Sequence, residues 1–374
     1  MPKPALNDLR RLVIKIGSSL LVDAQNELDR GWLKYLADDI DMLRRDGHQV
    51  LIVSSGAVAI GCQVLGINRQ RSRLEELQAA AAAGQVQLVH AYQDALSRHD
   101  IRAAQVLLTP DDTEVKRRFL NARGTLEKLI EHDVVPVINE NDTVATDELR
   151  YGDNDRLAAR VAQTVMADGL ILLSDVDGFY TADPGINPDA EYLDVVESIS
   201  DDHMRMAGTS GSAFGSGGMN TKLQAARIAT HAGCATIIAS GAVDRPLHAL
   251  FNGARHTIFP AAATPAAARK QWLAGILEVR GELRLDEGAA VALLNGKSLL
   301  PVGVIEVIGQ FRRGDAVMLV DHNGAELGRG LAAYSGEEAT SIKGCRSNQI
   351  EEILGYRGRS VMVHRDDMVL FSRA

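Results

Sequence analysis

The segment GTSGSAFGSGGMNTKLQAARIATHAG, residues 208–233, holds the clearest chemistry in the chain. A glycine- and serine-rich loop runs into Asn220-Thr221-Lys222, which opens an amphipathic helix. Glycines let backbone N–H groups approach an anion closely, and a helix N-terminus adds partial positive charge. A lysine at that point can reach phosphate oxygens. The plain alternative is a surface loop with a solvated lysine. The Gly-Lys-Ser/Thr ending of a Walker A loop is absent from this segment. That ending occurs at Gly296-Lys297-Ser298, but Val291 stands where the first glycine belongs, so we set it aside.

Lys15 is the second signal. It lies inside the apolar run Leu12–Ile16, two residues before Gly17-Ser18-Ser19. A buried ammonium group is costly unless paired, so this lysine suggests a phosphate contact, the alternative being a side chain snorkelling from an edge strand. Third, INENDTVATDELRYGDNDRLAARVA at 138–162 brackets one loop with two clusters of Asn and acid, Asn139–Asp142 and Asp153–Asp155. One acid at a helix start is an ordinary cap. Two clusters exceed that need and suit an ammonium group, a lysine or a cation. Fourth, Ser174-Asp175-Val176-Asp177-Gly178 follows an apolar strand, with Asp183 soon after; metal binding, lysine orientation and Asx-turns all remain open. Finally, Val53-Ser54-Ser55-Gly56 carries a strand into small residues, where exposed N–H groups suit a carboxylate. Val53 occupies the first-glycine position of a nucleophile elbow, which excludes that motif. No histidine lies near these clusters in sequence, which weakens acyl transfer.

These residues fall just past runs that read as buried strands: Leu12–Ile16, Val50–Val53, Ala103–Leu108, Val134–Ile138, Gly169–Leu173 and Ala235–Ala239. Helical spacing at Leu33, Leu36, Ile40 and Leu43, and a long alanine-rich stretch at 74–98, fall between them. Continuous apolar strands separated by helices imply an α/β fold with a mostly parallel sheet sandwiched by helices. In such sheets the ligand crevice lies beyond the strand carboxyl ends.

The expected organisation is a domain over 1–258, a linker over 259–274 (FPAAATPAAARKQW at its start) and a small β-rich domain over 275–374. Strands are expected at 276–285, 302–308, 316–321 and 360–364, with little room for helices. The chain has 374 residues, 46% of them hydrophobic and 24% charged, with a net charge of −9. That composition excludes disorder and a broad basic surface for nucleic acid or anionic membranes. Aromatics are 4%, which disfavours base-stacking platforms. Three scattered cysteines without a CxxC pair make a disulfide framework or structural zinc site a poor reading. MPKPALNDLRRLVIKIG shows no secretory signal, and no apolar stretch suits a membrane span, so a cytoplasmic protein is expected.

Together, KIGSSL at 15–20, SSGAVAIG at 54–61, INENDTVAT at 138–146, GDND at 152–155, SDVDGFYTADP at 174–184 and GSGGMNTK at 215–222 resemble the glutamate 5-kinases, a branch of the amino-acid kinase family. The C-terminal portion, including GKSLLPVGV at 296–304, resembles a PUA domain. Ser174 and Ser216 stand where threonine is frequent in that family, and Asn220 where serine is. The resemblance implies an amino-acid kinase fold and ATP-dependent phosphorylation of the γ-carboxylate of L-glutamate, the first step of proline biosynthesis. It implies catalytic roles for Lys15, Lys222 and Asp155, and substrate binding by Ser55, Gly56, Asp142 and Asn154. ATP contacts are implied for Lys15, Ser174, Asp175, Ser216, Gly217, Gly218, Met219, Asn220, Thr221 and Lys222. Mg2+ is implied as a cofactor held by ATP oxygens and water, with no protein ligand named. Proline as a feedback inhibitor, a homo-oligomer (dimer or tetramer), hand-off of product to a glutamyl phosphate reductase and RNA binding by the PUA-like domain complete the implied partners.

Overall fold

In a computed structural model of the chain, the described residues are 5–23, 27–144, 154–208, 218–274 and 278–371. They form two compact units: Met1–Glu114 with Asn121–Pro265, and Val115–Leu120 with Ala266–Ala374. The first unit begins β1 (Arg11–Ile16), α1 (Ser18–Leu21), α2 (Arg30–Arg45), β2 (Gln49–Val53), α3 (Ala57–Leu65), α4 (Leu74–Ser97), β3 (Arg102–Leu108) and α5 (Pro110–Glu114). Next come α6 (Lys116–Glu131), whose residues up to Leu120 belong to the second unit, β4 (Val134–Glu140), α7 (Asn154–Thr164), β5 (Gly169–Ser174), β6 (Phe179–Tyr180) and β7 (Tyr192–Leu193). It closes with α8 (Asp201–Met206), α9 (Met219–His231), β8 (Ala235–Ser240), α10 (Pro246–Phe251) and β9 (His256–Phe259).

Seven of these strands form one sheet in the order β3-β4-β2-β1-β5-β8-β9. Every pairing is parallel except β8 with β9. All six strands expected from the apolar runs are present. From β1 the chain builds β2, β4 and β3 on one side, then β5 and β8 on the other. The winding therefore reverses at β1, and the crevice of such a sheet opens at the carboxyl ends around that point.

Side chains alternate between the two faces of a strand. Leu12, Ile14 and Ile16 of β1, with Val50 and Ile52 of β2, join one core with Leu33 and Leu36 of α2 and Leu88 of α4. Val13 of β1, with Leu51 and Val53 of β2, joins the other core with Leu157 and Val161 of α7 and Leu223 and Ala226 of α9. Parity therefore assigns each residue at a strand end to a set of helices. Lys15 follows Val13 toward α7 and α9. Ser54 follows Val50 and Ile52 toward α4, and so does Asn139, which follows Val135 and Val137.

The alanine-rich composition of α4 has a steric cause. A methyl group on Gly84 would lie 1.9 Å from the Ala57 carbonyl oxygen of α3, and one on Gly61 would lie 1.7 Å from the Ala80 carbonyl oxygen. Only small residues allow the two helix backbones to approach so closely.

The second unit contains α11 (Pro265–Ala274), β10 (Gly281–Leu285), α12 (Glu287–Leu294), β11 (Val304–Ile308), β12 (Ala316–Val320), β13 (Glu326–Leu331), α13 (Gly336–Ile342), α14 (Ile350–Leu354) and β14 (Met368–Leu370). Its sheet order is β11-β10-β12-β13-β14, with only β10 and β12 parallel. Leu283, Leu285, Val317, Leu319 and Ile342 are central to its core. Phe119 and Leu120 pack in the same unit with Leu273, Ala316 and Leu331.

Three sequence expectations for this region need correction. The alanine run at 265–274 is helical, because alanine favours helix and Pro265 fits the first turn. The β-rich unit holds three further helices. Two start at strong caps: Asp286 accepts from the Ala289 N–H, and Ser335 with Glu338 forms a capping box. The segment 360–364 is not a strand; Val363 makes a single bridge to Leu299.

Gly84→Ala is expected to lower the unfolding free energy by about 2 kcal/mol or more, the cost of forcing atoms into a packed contact. Ala82→Ser, at an exposed position of the same helix, should change it by less than about 0.5 kcal/mol. Chemical denaturation of both variants checks this.

Candidate active site

Lys15 is 6% exposed and stands at the carboxyl end of β1, next to Val53 of β2 and Leu172 of β5. On the face to which parity sends it lies the first turn of α7. There the Lys15 Nζ meets Asp155 Oδ1 at 2.6 Å. Lys222, in the first turn of α9, brings its Nζ to 3.7 Å from Asp155 Oδ2. The Thr221 hydroxyl donates to the same oxygen at 2.8 Å. Asp155 is wholly buried. Burial by itself would push its carboxyl up, but the Lys15 and Lys222 ammonium groups, with hydrogen bonds from Lys15 and Thr221, hold it below the usual carboxylate range. The three residues of the expected catalytic set are therefore one buried ion cluster, 207 residues of sequence folded to a few ångströms.

Beside it lies a network of neutral groups. The Asn154 side-chain amide donates to the Ser54 carbonyl oxygen at 2.8 Å, to Asn139 Oδ1 at 3.0 Å and lies 3.1 Å from Ser55 Oγ. Asn139 donates in turn to Gln85 Oε1 of α4 at 2.7 Å. The Ser54 hydroxyl is 3.0 Å from the Tyr92 hydroxyl, also on α4. Gly56 adopts φ 95°, a left-handed value that suits glycine, and caps α3 with no side-chain hydrogen bond, so the helix start presents backbone N–H groups. Asp142 is partly buried just past β4; burial pushes its carboxyl up to about 6, with Arg69 pulling the other way.

The nucleotide-side residues are placed as follows. Ser174 ends β5 and its hydroxyl donates to the exposed Asp175 carboxylate at 2.8 Å. Gly218 precedes α9 without a capping side chain. Met219, Asn220 and Thr221 form the first turn, and Asn220 Oδ1 accepts from Gln224 of the same helix at 2.7 Å. Ser216 and Gly217 lie outside the described residues. Of the acids after β5, Asp177 accepts from the Tyr180 hydroxyl at 2.8 Å, and Asp183 makes an Asx-turn to the Gly185 N–H at 2.8 Å. Gly296 belongs to the turn after α12, and the Ser298 hydroxyl accepts from the Arg365 N–H at 3.0 Å, an ordinary loop contact. Cys62, Cys234 and Cys345 are free thiols.

Residues 10–240 match the amino acid kinase family, and residues 281–354 match the PUA domain. The chain belongs to the amino acid kinase family. Among curated relatives, glutamate 5-kinase of Rhizobium rhizogenes (strain K84 / ATCC BAA-868) is 54% identical, covering 98% of this chain and 95% of that protein. Glutamate 5-kinase of Rhodopseudomonas palustris (strain HaA2) is also 54% identical, covering 99% of both. That of Paramagnetospirillum magneticum (strain ATCC 700264 / AMB-1) is 55% identical over 96% of this chain and 98% of its own. The chain thus falls in the glutamate 5-kinase branch of the amino acid kinase family, and the PUA match accounts for the second unit. No helix among the described residues is long and apolar enough to cross a membrane.

Sequence reasoning missed Gln85, Tyr92 and Arg69 as parts of this neighbourhood. One signal was present: Ala81, Gln85, Leu88, Tyr92 and Ala95 form the buried stripe of α4, and a glutamine on such a stripe asks for a partner.

The Asp155 ion cluster sets a pH dependence of stability. A carboxyl with a lowered folded value contributes stability that is fully present above its unfolded value, about 3.9, and lost as pH falls through the folded one. The melting-temperature gap between wild type and Asp155→Asn should be full near neutral pH and shrink on acidification below about pH 4. A thermal melting series across that range measures it.

Proposed function

We propose that this kinase transfers the γ-phosphoryl group of ATP to the γ-carboxylate of L-glutamate, giving L-glutamyl 5-phosphate at the entry to proline biosynthesis. The observation that carries the reading is the Lys15–Asp155–Lys222 cluster at the strand ends, next to an amide network with no nucleophile–base pair among the described residues. A glutamate carboxylate is ionised at neutral pH and needs no general base. Phosphoryl transfer to it requires alignment and charge neutralisation, which two oriented lysines supply. In this reading Lys15 and Lys222 receive the charge spread over the phosphoryl oxygens, and Asp155 holds both ammonium groups toward one point. The α9 N-terminus, from Gly218 through Lys222, binds the nucleotide phosphates, with Ser174 and Asp175 at its other side and Ser216–Gly217 assigned to the same loop. Ser55 and the Gly56 backbone receive a carboxylate of glutamate, and Asp142 with Asn154 receives its ammonium group.

Mg2+ enters this reading with the nucleotide, held by phosphate oxygens and water, where it neutralises phosphate charge. The chemistry of Asp155 supports that placement: its carboxylate is already engaged by two ammonium groups and a hydroxyl, so it is fitted to organise lysines. Proline carries the same α-ammonium and α-carboxylate pattern as glutamate, which supports competition at the Ser55–Asn154 pocket. The product is a reactive acyl phosphate, which favours hand-off to a glutamyl phosphate reductase. Assembly into a dimer or tetramer, and a division into a kinase domain over 1–258, a linker over 259–274 and a PUA-like domain over 275–374, belong to the same proposal. RNA binding by the second unit has weaker support. A cavity of about 1080 Å³ there is lined by Arg280 and Arg312 but also by Asp315 and Glu337, and a polyanion favours a surplus of basic groups.

The test is acyl-phosphate formation, trapped with hydroxylamine, with glutamate, N-acetylglutamate and aspartate side by side. Glutamate alone should give rapid, ATP-dependent product; preference for another acceptor refutes the reading. Lys222→Ala should lower kcat by about 10²–10³, the usual cost of a lost electrostatic donor, while far-UV circular dichroism remains that of the wild type. Asp142 gives a pH signature. Since its carboxyl must ionise to receive an ammonium group, kcat/KM for glutamate should fall as pH drops through about 6. Asp142→Asn should remove that acid limb and raise the glutamate KM.

A further inference from the structure

Gln85 is 7% exposed, Asn139 2% and Asn154 7%, so these three carboxamides meet almost out of water. Their orientations follow from fixed backbone groups. The Glu140 N–H donates to Asn139 Oδ1 at 2.9 Å, so the Asn139 nitrogen must face the other way, toward Gln85. Gln85 can answer only with its oxygen. The Ser54 carbonyl oxygen likewise draws the Asn154 nitrogen. The result is a directional relay in which Asn154 donates to Asn139 and Asn139 donates to Gln85.

Among the described residues, two atoms of this relay are buried without a hydrogen-bond partner: Asn154 Oδ1 and Gln85 Nε2. Burying an amide while leaving half its capacity unmet costs free energy. A leucine or methionine at position 85 would spare that cost but leave the buried Asn139 nitrogen without its acceptor, so the α4 stripe by itself does not explain the glutamine. The relay does. With its nitrogen committed to Ser54 and Asn139, Asn154 leaves a carbonyl oxygen as its one unused group, directly beside Asp155 in the first turn of α7. An acceptor held in a dry site recognises a cation with N–H donors.

We propose that Gln85 is a positioning residue for the amino-acid site: by accepting from Asn139 it locks the relay so that Asn154 presents Oδ1 to the ammonium group of the acceptor substrate. The proposal rests on the reading of that substrate as glutamate given above. Gln85 reaches the site from the opposite face of the sheet, through parity: Asn139 points toward α4, whereas Asn154 belongs to α7. The tight contact of α3 with α4 at Gly61 and Gly84 fixes the height at which Gln85 sits.

Steady-state kinetics of full-length wild type, Gln85→Met and Gln85→Glu tests it, with KM for glutamate and for ATP measured separately and melting temperatures recorded. Gln85→Met removes the acceptor and should raise the glutamate KM about tenfold, the scale of one lost hydrogen bond, with the ATP KM within about twofold. Gln85→Glu retains an acceptor oxygen and should restore the glutamate KM to within about threefold of wild type. An unchanged glutamate KM in Gln85→Met overturns the positioning role while leaving the kinase reading intact. So does a uniform loss in both KM values and in melting temperature that Gln85→Glu fails to rescue, since that is the mark of packing alone. A wild type that does not phosphorylate glutamate overturns the underlying reading and this inference with it.

Discussion

The whole first unit is arranged around one buried carboxylate that holds two ammonium groups. Asp155 is wholly buried, and Lys15 and Lys222 are nearly so. Without Asp155 the two lysines would repel one another in a medium that screens charge weakly. With it, two positive groups are held in fixed positions, and in the proposed reading little reorganisation is left to make when a phosphoryl group arrives. Such preorganisation is the form of electrostatic catalysis that a parallel sheet can deliver well. The strand supplies one lysine, and the helices packed on its face supply the acid and the second lysine from their first turns.

The placement follows from alternation along a few strands. Lys15 shares a face with Val13, so it must look toward whatever covers Val13, which is α7 and α9. Ser54 and Asn139 share faces with residues that pack on α4. The charged cluster is thus built on one side of the sheet and Ser54, Asn139 and Gln85 on the other, and Asn154, beside Asp155 in α7, joins the two over the strand ends. A register shift of one residue in β1 would exchange Lys15 for an apolar side chain and dismantle the ion cluster.

Much of this was legible in sequence for a physical reason. A lysine in an apolar strand and paired clusters of Asn and Asp are anomalies that burial makes expensive, and anomalies point to sites. Lys15, Asn154 and Asp155 were visible on those grounds, and Lys222 through the glycine- and serine-rich loop that opens its helix. Gln85 and Tyr92 were not singled out, since each is ordinary in a helix and acquires meaning only through partners such as Asn139, 54 residues away. The six parallel strands were legible because a doubly covered strand is apolar throughout. Helices α12, α13 and α14 of the second unit were not, because five to eight residues carry too little periodicity. Their caps at Asp286 and Ser335 were the better signal. Nor does any local pattern announce that Phe119 and Leu120 pack with the second unit, for that contact is decided by tertiary structure.

The division between charged and neutral halves has a consequence for how the two substrates are kept apart. An ammonium group bound beside Lys15 and Lys222 by carboxylates alone would compete with those lysines for the same acids, and Asp155 would be drawn away from them. Amides avoid the conflict. Asn154, Asn139 and Gln85 orient strong dipoles without adding charge, so they can direct an acceptor oxygen at a cation while leaving the Asp155 cluster electrostatically intact. The adjacency of Asn154 and Asp155 in one helical turn then becomes intelligible. In the proposed reading the neutral residue faces the amino acid, while the charged one faces the lysines, and one turn of backbone holds the two functions at a fixed separation.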